Sequence, residues 1–390
     1  MAEKIRILNV LRSFGTGGAE TLVLSLFGKH NREDFEWAVC GLMEPQRKSL
    51  LKDFEKKGIK CYNLNLPAWS HYQKHPLEVV KKIMIMAKEF KKVCDDFKPD
   101  VIHTHLLWPA FLANILFFGS NIALVTTFHN VILGGSKLKQ WATKLSVRIA
   151  KPICIACSEA VRQANTSSGM IPEKLCVTIH NGVDTDKFNP RRVKSPKNNP
   201  FDEQPQSLHV LQVGNLEPRK GYEYTIKALA KLNKENIPAL VCCAGEGSER
   251  NNLEKLAEKM GVSENIRFLG IRKDVKQLLK AADVFIMPSL YEGLSIAMLE
   301  AMSMELPIIA SNVGGAAEVI EDGKSGFLIP PADADALAEK LIILANNEQL
   351  RHNIGKQARK RIVKNYSLRK QALALEGLYR KIVKNKGNYL

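Results

Sequence analysis

Apolar residues fall in short continuous runs separated by longer stretches with helical spacing, the pattern of strands buried on both faces with amphipathic helices between them. In the first half, IRILNVL (5–11), FEWAVCGL (35–42), IKCYNLN (59–65), DVIHTH (100–105), ALVTTFH (123–129), PICIAC (152–157) and CVTIHNGV (176–183) read as strands. The alternation breaks at 185–207, TDKFNPRRVKSPKNNPFDEQPQS, which holds four prolines and little apolar content. It restarts with LHVLQVGNL (208–216), and further strands are expected near 239–244, 266–269, 283–287, 306–310 and 327–329. The expected class is α/β: two Rossmann-like, doubly wound domains with parallel sheets and a ligand cleft between them. The expected boundaries are 1–185 for the first domain, 186–207 for a linker, 208–370 for the second domain and 371–390 for a basic C-terminal helix.

Composition agrees with a folded chain, since 45% apolar and 25% charged residues are ordinary for a globular protein. With 390 residues there is enough chain for two cores. The eight cysteines are scattered, several within apolar runs, and Cys154-x-x-Cys157 has no second pair at zinc-site spacing. A reducing, cytoplasmic setting is expected. The opening MAEKIRILNVLRSFG reads as a first strand rather than a signal peptide. The apolar stretch 106–118 is interrupted by Pro109 and Asn114 and is too short for a membrane span.

Charge changes the picture more by its distribution than by its total of +17. Residues 351–390 contain twelve Lys or Arg against one acid, Glu376. A second basic run, SKLKQWATKLSVRIAKP (136–152), sets Lys137, Lys144, Arg148 and Lys151 beside Trp141, Leu145 and Ile149. Such segments suit either a solvated face or peripheral contact with the inner face of an anionic membrane. Net positive charge alone also allows nucleic-acid binding, but no zinc finger, helix-turn-helix or RNP-like motif accompanies it, so no nucleic-acid partner is expected.

The most informative segment is 288–320, PSLYEGLSIAMLEAMSMELPIIASNVGGAAEVI. A strand end delivers Glu292 to a helix start, Glu300 follows eight residues later, and a second strand runs into Gly314–Gly315. A helix beginning at Glu292 would leave the amides of Gly293, Leu294 and Ser295 as free first-turn donors for an oxygen-rich ligand. It would also place Glu300 about 12 Å further along the axis, turned by roughly 80°. This E-(seven residues)-E string resembles the signature of glycosyltransferase family 4, retaining, nucleotide-sugar-dependent enzymes of the GT-B fold. The resemblance implies that Glu292 sits beside the donor sugar and Glu300 holds the nucleotide ribose. It further implies that the last helix, ending near Lys386, crosses back to the first domain.

Other segments fit the same resemblance in the expected order. SFGTGGAE (13–20) follows the first strand, and Gly17 and Gly18 match a Gly-Gly that lies near the donor phosphates and the acceptor in that family. Glu20 stands where a G-x-G-x-x-G dinucleotide fingerprint would need glycine, which removes the oxidoreductase reading. His103 and His105 read as structural, whereas His129 resembles the family's active-site histidine. VGNLEPRKG (213–221) is similar to the family's phosphate-gripping G-R-(few residues)-K-G, with Lys220 in place but Asn215 where arginine is usual, so Arg219 is the expected substitute. The loop at Gly245 and Glu246 and the stretch around Ile271 are expected near phosphates and nucleobase. Fixed cations rather than a metal or cofactor are expected to neutralise the departing diphosphate.

The resulting expectation is a metal-independent hexosyltransferase that moves a sugar from a nucleotide-sugar donor, most simply UDP-linked, to a glycan or lipid-linked acceptor. His129, Lys220 and Glu292 would act at the reacting sugar. The alternatives are an epimerase or hydrolase on the same fold and, given Asn215, a catalytically inactive binder.

Overall fold

The computed structural model describes residues 3–45, 48–67, 76–130 and 137–384. The chain divides into two compact units, one formed by 1–181 with 368–390 and the other by 182–367.

The first unit is built on a parallel seven-stranded sheet of order β3-β2-β1-β4-β5-β6-β7, with strands β1 (Ile5–Ser13), β2 (Phe35–Met43), β3 (Lys60–Leu66), β4 (Val101–His105), β5 (Ala123–Phe128), β6 (Ile153–Ala156) and β7 (Cys176–Thr178). Its helices are α1 (Gly18–Leu26), α2 (Leu51–Lys56), α3 (Pro76–Phe97), α4 (Leu107–Leu116), α5 (Lys137–Ala150) and α6 (Glu159–Ser167). Strand side chains alternate between faces, so Leu8, Val10 and Ile102 meet Phe90, Val93, Phe97 and Leu112 of α3 and α4 in one core. The same alternation sends Asn9, His103 and His105 to the opposite face.

The second unit repeats the plan with six parallel strands in the order β10-β9-β8-β11-β12-β13. These are β8 (Leu208–Val213), β9 (Ala239–Ala244), β10 (Ile266–Gly270), β11 (Val284–Met287), β12 (Ile308–Ser311) and β13 (Phe327–Ile329). Helices α7 (Tyr222–Lys234), α8 (Arg250–Lys259), α9 (Val275–Ala281), α10 (Ile296–Ser303), α11 (Ala316–Val319), α12 (Ala334–Ala345) and α13 (Glu348–Asn365) accompany them. Val210, Val241, Ile286 and Ile309 of the strands pack on Ile226, Leu229, Leu337 and Leu341 of α7 and α12. In each sheet the strand order reverses once, beside β1/β4 and β8/β11, where open α/β sheets bind ligands beyond the strand C-termini.

The unit boundaries differ from the sequence-based ones. Residues 186–207 are not a free linker, because Phe188 and Phe201 are buried and the Phe188 carbonyl accepts from Ser303 Oγ at 2.7 Å and from Arg359 Nη1 at 2.9 Å. The second boundary falls at Ser367/Leu368 rather than 370/371. From there α14 (Leu368–Lys384) packs within the first unit, where the Asn31 amide donates to Glu376 at 2.6 Å and Arg380 pairs with Asp34 at 2.7 Å. Lys386 and the side chain of Lys137 lie outside the described residues. All eight cysteines are unpaired thiols. Among the described residues, no helix is long and apolar enough to cross a membrane.

Candidate active site

At the switch point of the second unit, one loop leaves β8 and another leaves β11. The first is pinned from behind, since Gln212 Nε2 donates to the Lys220 carbonyl at 3.0 Å and Thr225 Oγ1 donates to Gln212 Oε1 at 2.7 Å. The two loops are laced by the Leu290 amide donating to the Arg219 carbonyl at 2.8 Å. Gly221 makes that approach possible: its φ is 69°, and a Cβ there would stand 1.9 Å from the Pro288 carbonyl oxygen.

This lacing brings together four residues that the sequence singled out. The Lys220 ammonium pairs with Oε1 of Glu292, whose Oε2 lies 3.7 Å from Arg219 Nη1. Ser289 Oγ donates to Glu292 at 3.1 Å. Arg219 Nε bonds Glu217 at 2.9 Å, and Asn215 Nδ2 donates to the other Glu217 oxygen at 3.0 Å. Burial pushes the Glu217 carboxyl up, but Arg219, Asn215 and Lys220 together hold it below its usual range. Asn215 therefore supplies no charge, yet through Glu217 it orients the arginine that stands beside Lys220.

The helix geometry expected from Glu292 is corrected. Helix α10 begins at Ile296, because Ser295 is its N-cap and the Ser295 hydroxyl accepts from the Met298 amide at 3.4 Å. Glu292, Gly293 and Leu294 belong to the preceding loop, so the free first-turn donors are the amides of Ile296 and Ala297 rather than those of Gly293, Leu294 and Ser295. That loop is held by the Gly315 amide donating to the Gly293 carbonyl at 2.7 Å. Gly314, at φ 54°, is required at this contact, because a Cβ there would stand 2.1 Å from the Glu292 carbonyl oxygen.

The Glu300 carboxylate, on α10, has no hydrogen-bond partner among the described residues. Burial raises its carboxyl to about 7, and the Lys187 ammonium offsets only part of that shift. Near the ends of β9 and β10, the Gly245 amide donates to the Gly270 carbonyl at 2.9 Å, and Arg250 pairs with Glu246 while donating to the Phe268 carbonyl at 3.2 Å. Ile271, directly after Gly270, is an exposed apolar side chain.

In the first unit His103, His105 and His129 lie at the ends of β4 and β5. His103 Nδ1 meets the Tyr379 hydroxyl at 2.6 Å and its Nε2 meets Thr127 Oγ1 at 2.7 Å, which fits a structural role. His105 is likewise buried with both ring nitrogens partnered. Its Nδ1 lies 3.3 Å from His129 Nε2, its Nε2 lies 3.3 Å from Asn9 Oδ1, and its ring stacks on that of His129 at 5.6 Å. Burial lowers His103 to about 3 and His129 to about 4, and it lowers His105 strongly too, so all three are neutral near pH 7. Leu106 follows at φ 72° and ψ 169°, a region that only glycine enters freely, so backbone strain sits beside His105.

Gly17 is the N-cap of α1, and Glu20 folds over it so closely that a Cβ at Gly17 would stand 2.1 Å from Glu20 Oε2. Gly18 is open, with no atom within 4 Å of where its Cβ would be. Burial raises the Glu20 carboxyl above its ordinary range.

Sequence reasoning missed Ser289, Glu217, Glu20 and Lys187 as members of these clusters. Ser289 and Glu217 carried a usable signal, since each lies two or three residues from a predicted site residue. Among the described residues, no group of His, Cys, Asp or Glu is arranged to hold a metal ion.

Comparison with known proteins follows the same division of the chain. The family profile described as Glycosyltransferase Family 4 matches residues 16–187, and that described as Glycosyl transferases group 1 matches residues 193–361. An uncharacterized glycosyltransferase of Methanocaldococcus jannaschii is 30% identical over 300 residues, covering 73% of this chain and 76% of that one. The UDP-Gal:alpha-D-GlcNAc-diphosphoundecaprenol alpha-1,3-galactosyltransferase of Escherichia coli is 28% identical over 318 residues, covering 79% and 81%. Among solved structures, Anabaena Alr3699/HepE in complex with UDP-glucose has a TM-score of 0.80 at 22% identity, covering 97% of this chain and all of that one.

Proposed function

The chain belongs to glycosyltransferase family 4 and has the GT-B fold, and on that premise we propose that it moves a sugar, with retention of anomeric configuration, from a UDP-linked donor to a glycan or lipid-linked acceptor. The observation that carries this reading is the convergence of Lys220 and Arg219 on Glu292 at the β8/β11 switch point. Two cations on one loop form a fixed site for a diphosphate, which must be neutralised as it leaves the sugar. Lysine supplies a compact charge and arginine a bidentate fork. No metal is needed for that purpose in this proposal, and transfer is expected to continue in a chelator.

The remaining roles follow from the groups each loop presents. The Glu300 carboxylate, without a protein hydrogen-bond partner among the described residues, accepts from the ribose hydroxyls. The backbone beside Gly245, Glu246 and Ile271 meets the phosphates and the nucleobase. The loop amides of Gly293, Leu294 and Ser295 lie between the two glutamates. Glu292 and the neutral His129 orient the sugar, with His105 and Asn9 fixing the His129 ring. The acceptor enters against Gly17 and Gly18, where the Glu20 carboxyl favours a hydroxyl over a phosphate.

In the transfer step the bond from the anomeric carbon to the diphosphate oxygen breaks. The acceptor oxygen bonds that carbon on the same face, and the acceptor proton passes to the departing diphosphate oxygen. Glu292 need not be the nucleophile, because attack and departure on one face leave no step that requires a protein nucleophile. The UDP and UDP-glucose named for HepE, and the UDP-galactose and diphosphoundecaprenol acceptor named for the E. coli relative, support this donor and acceptor class. A polysaccharide or glycolipid pathway on the cytoplasmic side, with peripheral contact to the inner membrane face, is the corresponding setting.

The test is incubation with a panel of nucleoside diphosphate sugars, with and without lipid-linked acceptors, following nucleotide release and the anomeric configuration of the product. A retained linkage formed only with acceptor supports the proposal. An epimer or free sugar from donor alone supports an epimerase or hydrolase, and an inverted linkage removes the mechanism.

A further inference from the structure

Helix α5 is amphipathic in the reverse sense. Its inward side buries Thr143 (8% exposed) and Ser146 (7%) with Val147, while Trp141, Leu145 and Ile149 are 61%, 41% and 47% exposed. Ser146 is satisfied on this side, since its Oγ donates to the Thr143 carbonyl at 2.9 Å and accepts from Asn114 of α4 at 3.4 Å. At 3.6 residues per turn, the three outward apolar residues form one stripe about 80° wide. Lys144 and Arg148 lie along one edge of that stripe, Lys151 follows the helix, and the run 136–152 contains no acid. On the neighbouring α4, Asn114 is buried while Ile115 is exposed, as is Phe118 just beyond the helix end.

We infer that the outward face of α5 is a docking surface for an anionic lipid bilayer. A Trp–Leu–Ile stripe bordered by cations matches the boundary between acyl chains and negative head groups. An acid-free face also fits a phospholipid surface better than a second copy of this basic chain. The other basic segment lacks the second half of this pattern. Among the described residues of 351–384, the exposed large apolar side chains are single ones, Val363 on α13 and Leu373 on α14. Charge without an apolar stripe gives electrostatic attraction but no insertion. The inference deepens the lipid-linked acceptor reading above, and vesicles carrying neither donor nor acceptor test it apart from that reading.

The experiment is sedimentation of the full chain with vesicles of phosphatidylglycerol and, separately, of phosphatidylcholine. Binding to phosphatidylglycerol at low salt is expected, at least tenfold weaker on phosphatidylcholine. The Trp141→Ser/Leu145→Ser/Ile149→Ser variant and the Lys144→Glu/Arg148→Glu variant should each lose tenfold or more. Trp141, Leu145, Arg148 and Ile149 are exposed and Lys144 is half-buried, so thermal unfolding should be unchanged in the serine variant, and Arg148→Glu alone decides the matter if either combined variant fails to fold. Lys360→Glu/Lys364→Glu on α13 should bind like the wild type. No binding to phosphatidylglycerol at low salt, wild-type binding by the α5 variants, or loss confined to the α13 variant overturns the inference.

Discussion

Lys220 and Glu292, 72 residues apart in sequence, form an ion pair that ties the loop after β8 to the loop after β11. The pair makes the position of the cation depend on a second loop. It also makes Glu292 the carboxylate that pairs directly with Lys220, while Glu217 holds Arg219. Replacing it by glutamine keeps the shape, removes that competitor for Lys220 and removes the negative group expected beside the sugar. Glu292→Gln should therefore bind nucleoside diphosphate as tightly as the wild type or more tightly, while transfer falls about 10²–10³-fold. Calorimetry and single-turnover kinetics read the two effects separately, and an equal loss in both would count against the role.

Glu300 gives a pH dependence with a definite sign. Its carboxyl is raised from 4.5 to about 7 by burial, so the folded state retains a proton that the unfolded chain releases. Its contribution to stability is complete below about pH 4.5 and is lost as pH rises through about 7. Ribose hydroxyls donate best to the ionised form, so nucleotide affinity should rise between pH 6 and 8. Glu300→Gln should bind more weakly and flatten that rise, as titration at several pH values will read.

The buried histidines carry the opposite sign. Held at about 3 for His103, at about 4 for His129 and strongly lowered for His105, they stabilise the fold above their ordinary 6.5. That stability drains away as pH falls through these values, with a slope of about 1.4 kcal/mol per pH unit for each histidine that titrates. Urea midpoints followed by circular dichroism should fall steeply from pH 6.5 to 4, and less steeply for His103→Gln.

Gly314→Ala tests the support behind Glu292. The added methyl meets the Glu292 carbonyl at a φ of 54°, so the substitution should cost about 2 kcal/mol or more. It should also displace Glu292 from Lys220. Reduced transfer with a lowered denaturant midpoint is expected, whereas Gly18→Ala, which meets open space, should leave the midpoint unchanged.

All thirteen strands expected from the apolar runs are present, because strands buried on both faces leave an uninterrupted signal. The seventh is shorter than expected, ending at Thr178. Lys220 and Glu292 were legible as separate motif members, but their pairing was not, since it depends on loop contacts at Gly221 and Gly314. The start of α10 differs because Ser295, whose hydroxyl accepts from the Met298 amide, caps the helix three residues after Glu292. Composition alone predicts a linker over 186–207, and it is silent on Phe188 and Phe201, which fasten the segment into the second unit. The His105–His129 contact was not legible, because it joins residues 24 apart that only the pairing of β4 with β5 brings together.

The central claim is that Lys220, with Arg219, holds the diphosphate of an activated sugar. Titration of UDP, with ADP and GDP alongside, into the wild type and Lys220→Ala measures it most directly. The account predicts saturable binding to the wild type and at least tenfold weaker binding to the variant, the loss of one charge-assisted hydrogen bond. Equal affinity of the two proteins would contradict it.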